Sequence, residues 1–155
     1  EELGNLAREK DCELRLHSLE NSIQIDGDQI RLERILRNLL TNAIDHSEGK
    51  PVDVMILAND TDISIGIRDY GIGLTDQQIS RVFDRFWRAD PSRSRIRGGT
   101  GLGLSIAKED ASLHGGEIKV WGKIGVGSNF VLTLPLQQGW PIRSHPISAI
   151  PTAGI

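Results

Sequence analysis

The strongest periodic pattern of apolar residues lies in GDQIRLERILRNLLTNAIDHS, residues 27–47. Its apolar positions recur every three or four residues, as they do on one face of an α-helix. They are Ile30, Leu32, Ile35, Leu36, Leu39, Leu40, Ala43 and Ile44. Asp28 is a residue type that caps helix N-termini, and Gly49 and Pro51 end the pattern. The pattern predicts an amphipathic helix that begins after Asp28.

Alternation of apolar and polar residues predicts strands elsewhere. The segments are CELRLHS (12–18), SIQID (22–26), VDVMILAN (52–59), DISIGIRD (62–69), EIKVWG (117–122) and SNFVLTLPL (128–136). The turn Asn59-Asp60-Thr61 joins two of them as a hairpin. Shorter helical patterns occur in EELGNLAREK (1–10), TDQQISRVF (75–83) and LGLSIAKEDASLH (102–114), and residues 84–99 have no usable period.

Helices therefore alternate with pairs of strands, and hairpin-length connections join the strands of a pair. This order favours an α/β (α+β) fold, a two-layer sandwich whose mixed, largely antiparallel sheet carries its helices on one face. We expect one domain over residues 1–136. Residues 137–155 contain three of the six prolines and are expected to form an irregular C-terminal tail.

Composition narrows the class of protein. A hydrophobic fraction of 38% with 25% charged residues is ordinary for a globular domain, and the net charge of −3 argues against a nucleic-acid partner. A single cysteine excludes an internal disulfide framework. Because the chain has no initiator Met, we expect it to be a piece of a larger protein.

Two glycine-rich segments are candidates for close approach to a ligand. GGTGLGLSIAKED (98–110) precedes a predicted helix, where free N–H groups favour phosphate, but it has neither a Walker A nor a dinucleotide pattern. A flexible connection is the alternative. RDYGIGL (68–74) places Asp69 at a strand end before Gly71 and Gly73, where the carboxylate could accept a hydrogen bond from a base amine. Ordinary turn chemistry is the alternative here.

Polar residues on the long helix and in the loop add two further candidates. Asn38 and Asn42 are four residues apart, so they share a helix face and could hold a hard cation such as Mg²⁺, although two solvated amides are the alternative. The loop carries five arginines that could close over a polyphosphate or remain solvated: Arg85, Arg88, Arg93, Arg95 and Arg97.

Taken in order, these motifs resemble the catalytic, ATP-binding domain of sensor histidine kinases, in the wider superfamily of gyrase, histidine kinases and MutL. LRNLLTNAIDHS is similar to the N box, RDYGIGL to the first glycine box, DRFWRAD to the F box and GGTGLGLSIAKE to the second glycine box. GVGSNFVLTLPL is similar to the final glycine segment and closing strand. The resemblance covers roughly residues 1–136.

The resemblance implies ATP and Mg²⁺ as cofactors. Asp69 would accept the adenine amine, Asn42 supported by Asn38 would hold Mg²⁺, and Arg88 and Arg93 would contact phosphates from a lid. Asn38, Asn42, Arg88 and Arg93 would thus form the catalytic set. The implied nucleotide-binding positions are Asn38, Asn42, Asp45, His46, Asp69, Gly71, Gly73, Leu74, Phe83, Arg88, Arg93, Gly99, Thr100, Gly101, Leu102, Gly103 and Leu104.

Three positions depart from relatives in the superfamily. Asp45 and His46 stand where many relatives have Lys and Tyr, so Asp45 is expected to point away from the triphosphate and His46 to hydrogen-bond a phosphate. Asn38 stands where hydrolysing members carry a Glu as general base. Since an amide cannot deprotonate water, this substitution implies slow hydrolysis and suits phosphoryl transfer to a protein group.

The resemblance also implies partners outside this chain. The acceptor histidine would lie on a separate dimerisation domain, because no HELRTP-like segment occurs here. A response-regulator Asp would receive the phosphoryl group afterwards. We expect a monomeric, cytoplasmic fragment of a homodimeric parent in the bacterial cell membrane. The alternatives are an anti-sigma-factor-type serine kinase, against which Asn38 argues, and a non-catalytic nucleotide-binding module.

Overall fold

The structure is a computed structural model that describes residues 8, 11–18, 23–87 and 102–151. Its elements in chain order are β1 (Leu14–Ser18), α1 (Gln29–His46), β2 (Val52–Ala58), β3 (Asp62–Asp69), α2 (Asp76–Ile79), α3 (Gly103–Leu113), β4 (Glu117–Lys123) and β5 (Gly127–Pro135). The five strands form one sheet in the order β1-β2-β3-β5-β4. Only the β1–β2 pair is parallel, so the predicted mixed, largely antiparallel sheet is confirmed.

Strand register separates the two faces of the sheet. Side chains of a strand alternate between faces, and residues opposite one another on neighbouring strands share a face. Ile63, Ile65 and Ile67 pair with Leu134, Leu132 and Phe130. All six are buried in the core, which also includes Ile35, Leu39 and Ala43 of α1. We call the face that packs against the helices the inner face.

The same register carries Asp69 to the inner face. It follows Ile67 by two positions at the end of β3, opposite Val52 of β2 and Ser128 of β5. A carboxylate therefore continues a row of core isoleucines at one end of the sheet. The sequence alone shows this alternation, but it does not show which residue of β5 lies opposite.

Helix α1 begins as its sequence predicts. The Asp28 carboxylate accepts hydrogen bonds from the backbone N–H groups of Ile30 and Arg31, at 3.0 and 3.3 Å. These bonds satisfy donors that have no partner within the helix. The helix ends at His46, and Ser47 follows as its C-cap.

Two predicted elements differ in the structure. Residues 23–26 are not a strand, because they run alongside the core with Ile23 and Ile25 packed inward and no strand partner. The helix expected over 75–83 is α only from Asp76 to Ile79 and then continues as turns that bury Val82. Most of the helix expected over 1–10 lies outside the described residues.

The chain after β5 crosses the outer face of the sheet, the face opposite the helices. The backbone N–H groups of Arg143 and Ser144 donate to the buried Asp62 carboxylate at 3.2 and 3.1 Å. The Asn129 side chain donates to the Ala149 carbonyl at 2.8 Å. Residues 137–151 form no helix or strand, but these hydrogen bonds hold them against the sheet. No helix among the described residues has the length and apolar character needed to cross a membrane.

Candidate functional site

The Asp69 carboxylate is buried, and its hydrogen-bond donors among the described residues are neutral groups. Its side chain accepts from the Ser128 hydroxyl at 2.5 Å and from the Gly71 N–H at 3.1 Å, and the residue is 1% exposed. Burial raises the pKa of Asp69, and the bonds from Ser128 and Gly71 oppose that shift. Because two carboxylate oxygens offer about four lone-pair positions, acceptor capacity remains for a ligand.

The loop after Asp69 packs tightly against the end of α1. The Ile72 N–H donates to the His46 carbonyl at 3.2 Å, and a Cβ added at Gly71 would lie 1.7 Å from that same oxygen. Gly73 has φ +81°, and a Cβ there would lie 2.0 Å from the Lys123 carbonyl oxygen. Only glycine fits these two positions, so this loop is a close backbone junction rather than an ordinary turn.

Asn38 and Asn42 lie half-buried on the same side of α1, upstream of that junction. Within the described part of the chain, neither side-chain amide forms a hydrogen bond. Two amide oxygens one helical turn apart are therefore available as hard ligands for a cation. Asp45 and His46 are half-buried in the last turn of the helix, next to Asn42, and both have interactions of their own.

Helix α3 begins beside Asn38. A Cβ added at Gly103, the first residue of the helix, would lie 3.5 Å from Asn38 Oδ1. Leu102 is the N-cap residue and caps with no side-chain hydrogen bond, while Leu104 packs against the core. The second glycine segment thus ends against the helix that carries the asparagines.

Apolar residues form the wall between these segments. Leu74 is buried and contacts the β4 backbone at Gly122, where an added Cβ would lie 2.8 Å from Leu74 Cβ. Phe83 packs edge-on against Phe130, with ring centroids 6.2 Å apart and an interplanar angle of 87°. The Lys108 ammonium lies 5.4 Å from the Phe83 ring centroid.

The remaining candidate positions lie outside the described residues. They are Arg88, Arg93, Gly99, Thr100 and Gly101. The structure therefore brings together Asn38, Asn42, Asp69 and the first glycine loop with the start of α3.

One contributor to the site, the β4–β5 turn, is absent from the candidate residues. Ser128 supplies a hydrogen bond to Asp69, and Gly127, with φ +131°, would place an added Cβ 2.1 Å from the Asp69 carbonyl oxygen. The GVGS sequence (125–128) indicates a turn, because its second glycine and the serine after it begin β5. The β3–β5 register shows that Asp69 is the residue opposite Ser128, and the sequence alone does not show this.

A second contributor is an ion-pair cluster between α1 and α3. Arg34 donates from Nε and Nη2 to the two oxygens of Asp110, at 2.7 and 2.8 Å, and Arg31 Nη1 lies 3.4 Å from Oδ1. His114 Nε2 accepts from the Asp28 N–H at 3.0 Å, so its Nδ1 carries the proton donated to the Asp110 carbonyl. Together these bonds fix α3 against α1 one helical turn from Asn38.

The geometry defines a two-layer α/β sandwich in which the first glycine loop joins the sheet end that carries Asp69 to the end of the long helix, and the start of α3 lies against Asn38 of the same helix. A family model for histidine kinase-, DNA gyrase B- and HSP90-like ATPases matches residues 27–138, most of the described chain. The chain belongs to this family.

Similar proteins of known name are sensor kinases. The chain is 48% identical over 149 residues to the sensor histidine kinase MtrB of Mycolicibacterium paratuberculosis, which covers 96% of this chain and 26% of that protein. It is 44% identical over 126 residues to the sensor-like histidine kinase SenX3 of Mycobacterium bovis, covering 81% of this chain and 30% of that protein. The chain thus spans about a quarter to a third of the length of these relatives.

Solved structures agree with the fold. The mycobacterial sensor histidine kinase MprB superposes with a TM-score of 0.73 at 30% identity, covering 88% of this chain and 90% of that one. Full-length ShkA in complex with AMPPNP gives a TM-score of 0.75 at 27% identity, covering 94% of this chain and 29% of that one. The α/β sandwich predicted from the sequence is therefore confirmed, with its helices on one face of the sheet.

Proposed function

We propose that this chain binds ATP with Mg²⁺ and donates the γ-phosphoryl group to a histidine on a separate dimerisation domain. A response-regulator aspartate then receives the phosphoryl group. The observation that carries the proposal is the convergence of Asp69, the glycine junction and two asparagines with available amides at one end of the sheet. The names of the relatives and the AMPPNP in ShkA support it.

Asp69 recognises the adenine in this proposal. A carboxylate bonded to a hydroxyl and an N–H keeps its orientation and retains lone pairs for the exocyclic amine. Gly71 and Gly73 keep the backbone free of side chains beside the ring, and Leu74 and Phe83 supply apolar surface. Asp69 therefore provides orientation and specificity within an otherwise apolar pocket.

The asparagine pair fits Mg²⁺ chemically. Mg²⁺ prefers oxygen ligands and retains several waters, so amide oxygens together with triphosphate oxygens make a suitable ligand set. No cluster of three or more His, Cys, Asp or Glu side chains occurs among the described residues. When bound, Mg²⁺ would neutralise charge on the phosphates.

Positioning provides the rest of the catalysis in this proposal. Arg88 and Arg93, with Gly99, Thr100, Gly101 and Leu102, contact the phosphates from the lid, and Gly103 and Leu104 continue this contact from the start of α3. His46 hydrogen-bonds a phosphate, whereas Asp45 points away from the triphosphate. Asn38 replaces a general base, so water is a poor acceptor.

The parent protein is a homodimeric sensor in the bacterial cell membrane, and this chain is its monomeric cytoplasmic catalytic domain. The acceptor histidine lies on the parent's own helical domain. The proposal is supported by the similarity to sensor histidine kinases, in which the matched region is a minority of the protein.

Two measurements test the proposal. Calorimetry should give saturable ATP binding that weakens at least tenfold without Mg²⁺, and Asn42→Ala should remove most of that Mg²⁺ dependence. The matched control Asn59→Ala, in the β2–β3 turn, should retain it. Incubating the chain with its parent's helical domain and γ-labelled ATP should give an acid-labile, base-stable phosphoprotein, with little phosphate released to water. Rapid ATP hydrolysis without transfer would instead assign the chain to the hydrolysing members of the family.

A further inference from the structure

A cavity of about 500 Å³ lies on the outer face of the sheet, away from the inner-face row that ends in Asp69. Its floor consists of outward-facing residues of β2 and β3, among them Met55, Leu57 and Gly66. Residues 146–151 of the C-terminal segment form its roof. The volume is within the range of small-molecule sites.

The lining of the cavity is mainly apolar but includes one buried cation. Arg68 is 7% exposed, and its Nε and Nη1 have no hydrogen-bond partner. Its guanidinium carbon lies 4.6 Å from the ring centroid of Tyr70 and 4.8 Å from that of Trp121. Stacking between two rings holds the group in place, yet leaves buried N–H donors unsatisfied, which is costly.

The carboxylate opposite Arg68 on the neighbouring strand already has other hydrogen-bond partners. Asp53 is its cross-strand partner in the register. However, Asp53 accepts from Arg15 Nε at 2.7 Å and from the Tyr70 hydroxyl at 2.6 Å, and His17 lies 3.1 Å away. Burial opposes ionisation of Asp53, but these bonds outweigh it and lower its pKa. Among the described residues, no carboxylate forms an ion pair with Arg68.

We propose that this cavity is a second ligand site, which binds a small organic monocarboxylate with an apolar body. The carboxylate hydrogen-bonds to Arg68, and the apolar part lies between Met55 and Leu57 below and the Ile147–Ile150 segment above. A guanidinium with unbonded N–H donors and no ion-paired carboxylate among the described residues matches one carboxylate group. A mostly apolar wall favours a hydrocarbon body over a sugar or a polyphosphate.

Octanoate and octanamide are suitable probes, because they share a chain and differ in charge. The measurement is a two-dimensional NMR titration of the isotope-labelled chain that follows the Arg68 Nε–H and Trp121 indole N–H signals. We expect octanoate to shift both signals saturably, and octanamide to bind at least tenfold more weakly. Equal affinity for the two probes, or no saturable shift at millimolar octanoate, would overturn the proposal.

Two variants locate the site. Arg68→Met keeps a long side chain but removes the charge, so it should abolish the preference for octanoate over octanamide. Gly66→Leu adds apolar atoms to the cavity floor and retains Arg68; the Cβ itself meets Ile147 at an ordinary 3.6 Å. It should weaken both probes at least tenfold, as followed by the Trp121 signal. Unchanged octanoate binding in Gly66→Leu would place the ligand elsewhere and overturn the assignment.

ATP titration separates this proposal from the proposed nucleotide function. Each variant is checked for an intact amide spectrum before titration. Gly66→Leu should bind ATP with wild-type affinity, because Gly66 faces away from the inner face. Octanoate binding that persists in Asp69→Asn, with ATP binding lost, would show two separate sites. Competition between octanoate and ATP for one site would overturn the second-site proposal.

Discussion

Asp69 and Asp110 are both 1% exposed, yet their surroundings shift their pKa values in opposite directions. Asp69 has a hydroxyl and a backbone N–H as donors, and burial raises its pKa. Asp110 has the bidentate guanidinium of Arg34, which lowers its pKa despite burial. Equal solvent exposure therefore does not give equal electrostatics. Desolvation is the largest influence on the pKa of Asp69, whereas the charged hydrogen bond from Arg34 is the largest influence on the pKa of Asp110.

In the proposed function, this difference separates a carboxylate that binds a ligand from a carboxylate that holds two helices together. Asp110 has its charge balanced by arginines and cannot be removed without leaving Arg34 unpaired. Asp69 has its geometry fixed by neutral donors but its charge left without a cationic hydrogen-bond partner. A buried carboxylate such as Asp69, without a cationic partner, costs stability, and such a group is suited to recognise a ligand. The ion pair of Asp110 with Arg34 holds α1 and α3 together.

The largest expected effect is on nucleotide affinity. In Asp69→Asn, the amide oxygen can still accept from the Gly71 N–H, and the amide NH₂ can donate to the Ser128 hydroxyl oxygen. The fold is kept, but a charge-assisted bond to the adenine is lost. ATP affinity should fall at least about 30-fold, equivalent to about 2 kcal/mol. Calorimetry measures this, with Asp60→Asn in the exposed β2–β3 turn as control. Wild-type affinity in Asp69→Asn would contradict the assigned role.

A second contrast tests the two glycine segments. Gly71→Ala forces a Cβ into the His46 carbonyl, so the backbone must move, and the melting temperature should fall by roughly 5–10 °C. Gly103→Ala meets Asn38 at an ordinary 3.5 Å and replaces a poor helix former, so the melting temperature should be unchanged or slightly raised. Differential scanning fluorimetry compares them. Equal destabilisation would show that both segments are close junctions.

The sequence predicts those features of the fold and the candidate site that depend on local pattern. Strand alternation places Asp69 in phase with Ile63, Ile65 and Ile67, and helix spacing puts Asn38 and Asn42 on one face. The alternating segment at residues 22–26 shows the limit of such a pattern. Its isoleucines are partly buried against the core, but the segment pairs with no strand in the described part of the chain.

Partners that are distant in the chain could not be read from the pattern. Ser128 reaches Asp69 across 59 residues, and Arg34 reaches Asp110 across 76. Both contacts depend on strand register and helix packing rather than on local spacing. The sequence likewise does not predict that the C-terminal segment lies on the outer face. Residues 141–151 have no periodic pattern, and they contact the sheet through Asp62 and Asn129.

Asp110→Asn should affect stability more than binding. One oxygen still accepts from Arg34, but the charge-assisted pair is lost from a buried position. The melting temperature should fall by roughly 5 °C at neutral pH, while ATP affinity changes less than in Asp69→Asn. Glu109→Gln is the matched control, since Glu109 is exposed on the same helix. A loss of ATP affinity as large as that of Asp69→Asn would mean that Asp110 belongs to the ligand site.

The smallest effect is the pH dependence of the two variants, and it should have opposite sign. The folded pKa of Asp110 is lowered, so its stabilising contribution is present above the unfolded value of about 3.9 and is lost as pH falls toward the folded pKa. The destabilisation by Asp110→Asn should therefore shrink in acid.

The folded pKa of Asp69 is raised, so ionisation costs stability at neutral pH and protonation removes that cost as pH falls. Asp69→Asn should thus be at least as stable as wild type at pH 7 and lose that advantage by about pH 4. Melting temperatures of both variants and wild type from pH 7 down to about pH 2, measured without nucleotide, provide the check, because the Asp69 effect falls above the unfolded value of about 3.9 and the Asp110 effect below it. If both variants follow the same trend with pH, the different surroundings of the two carboxylates do not shift their pKa values in opposite directions.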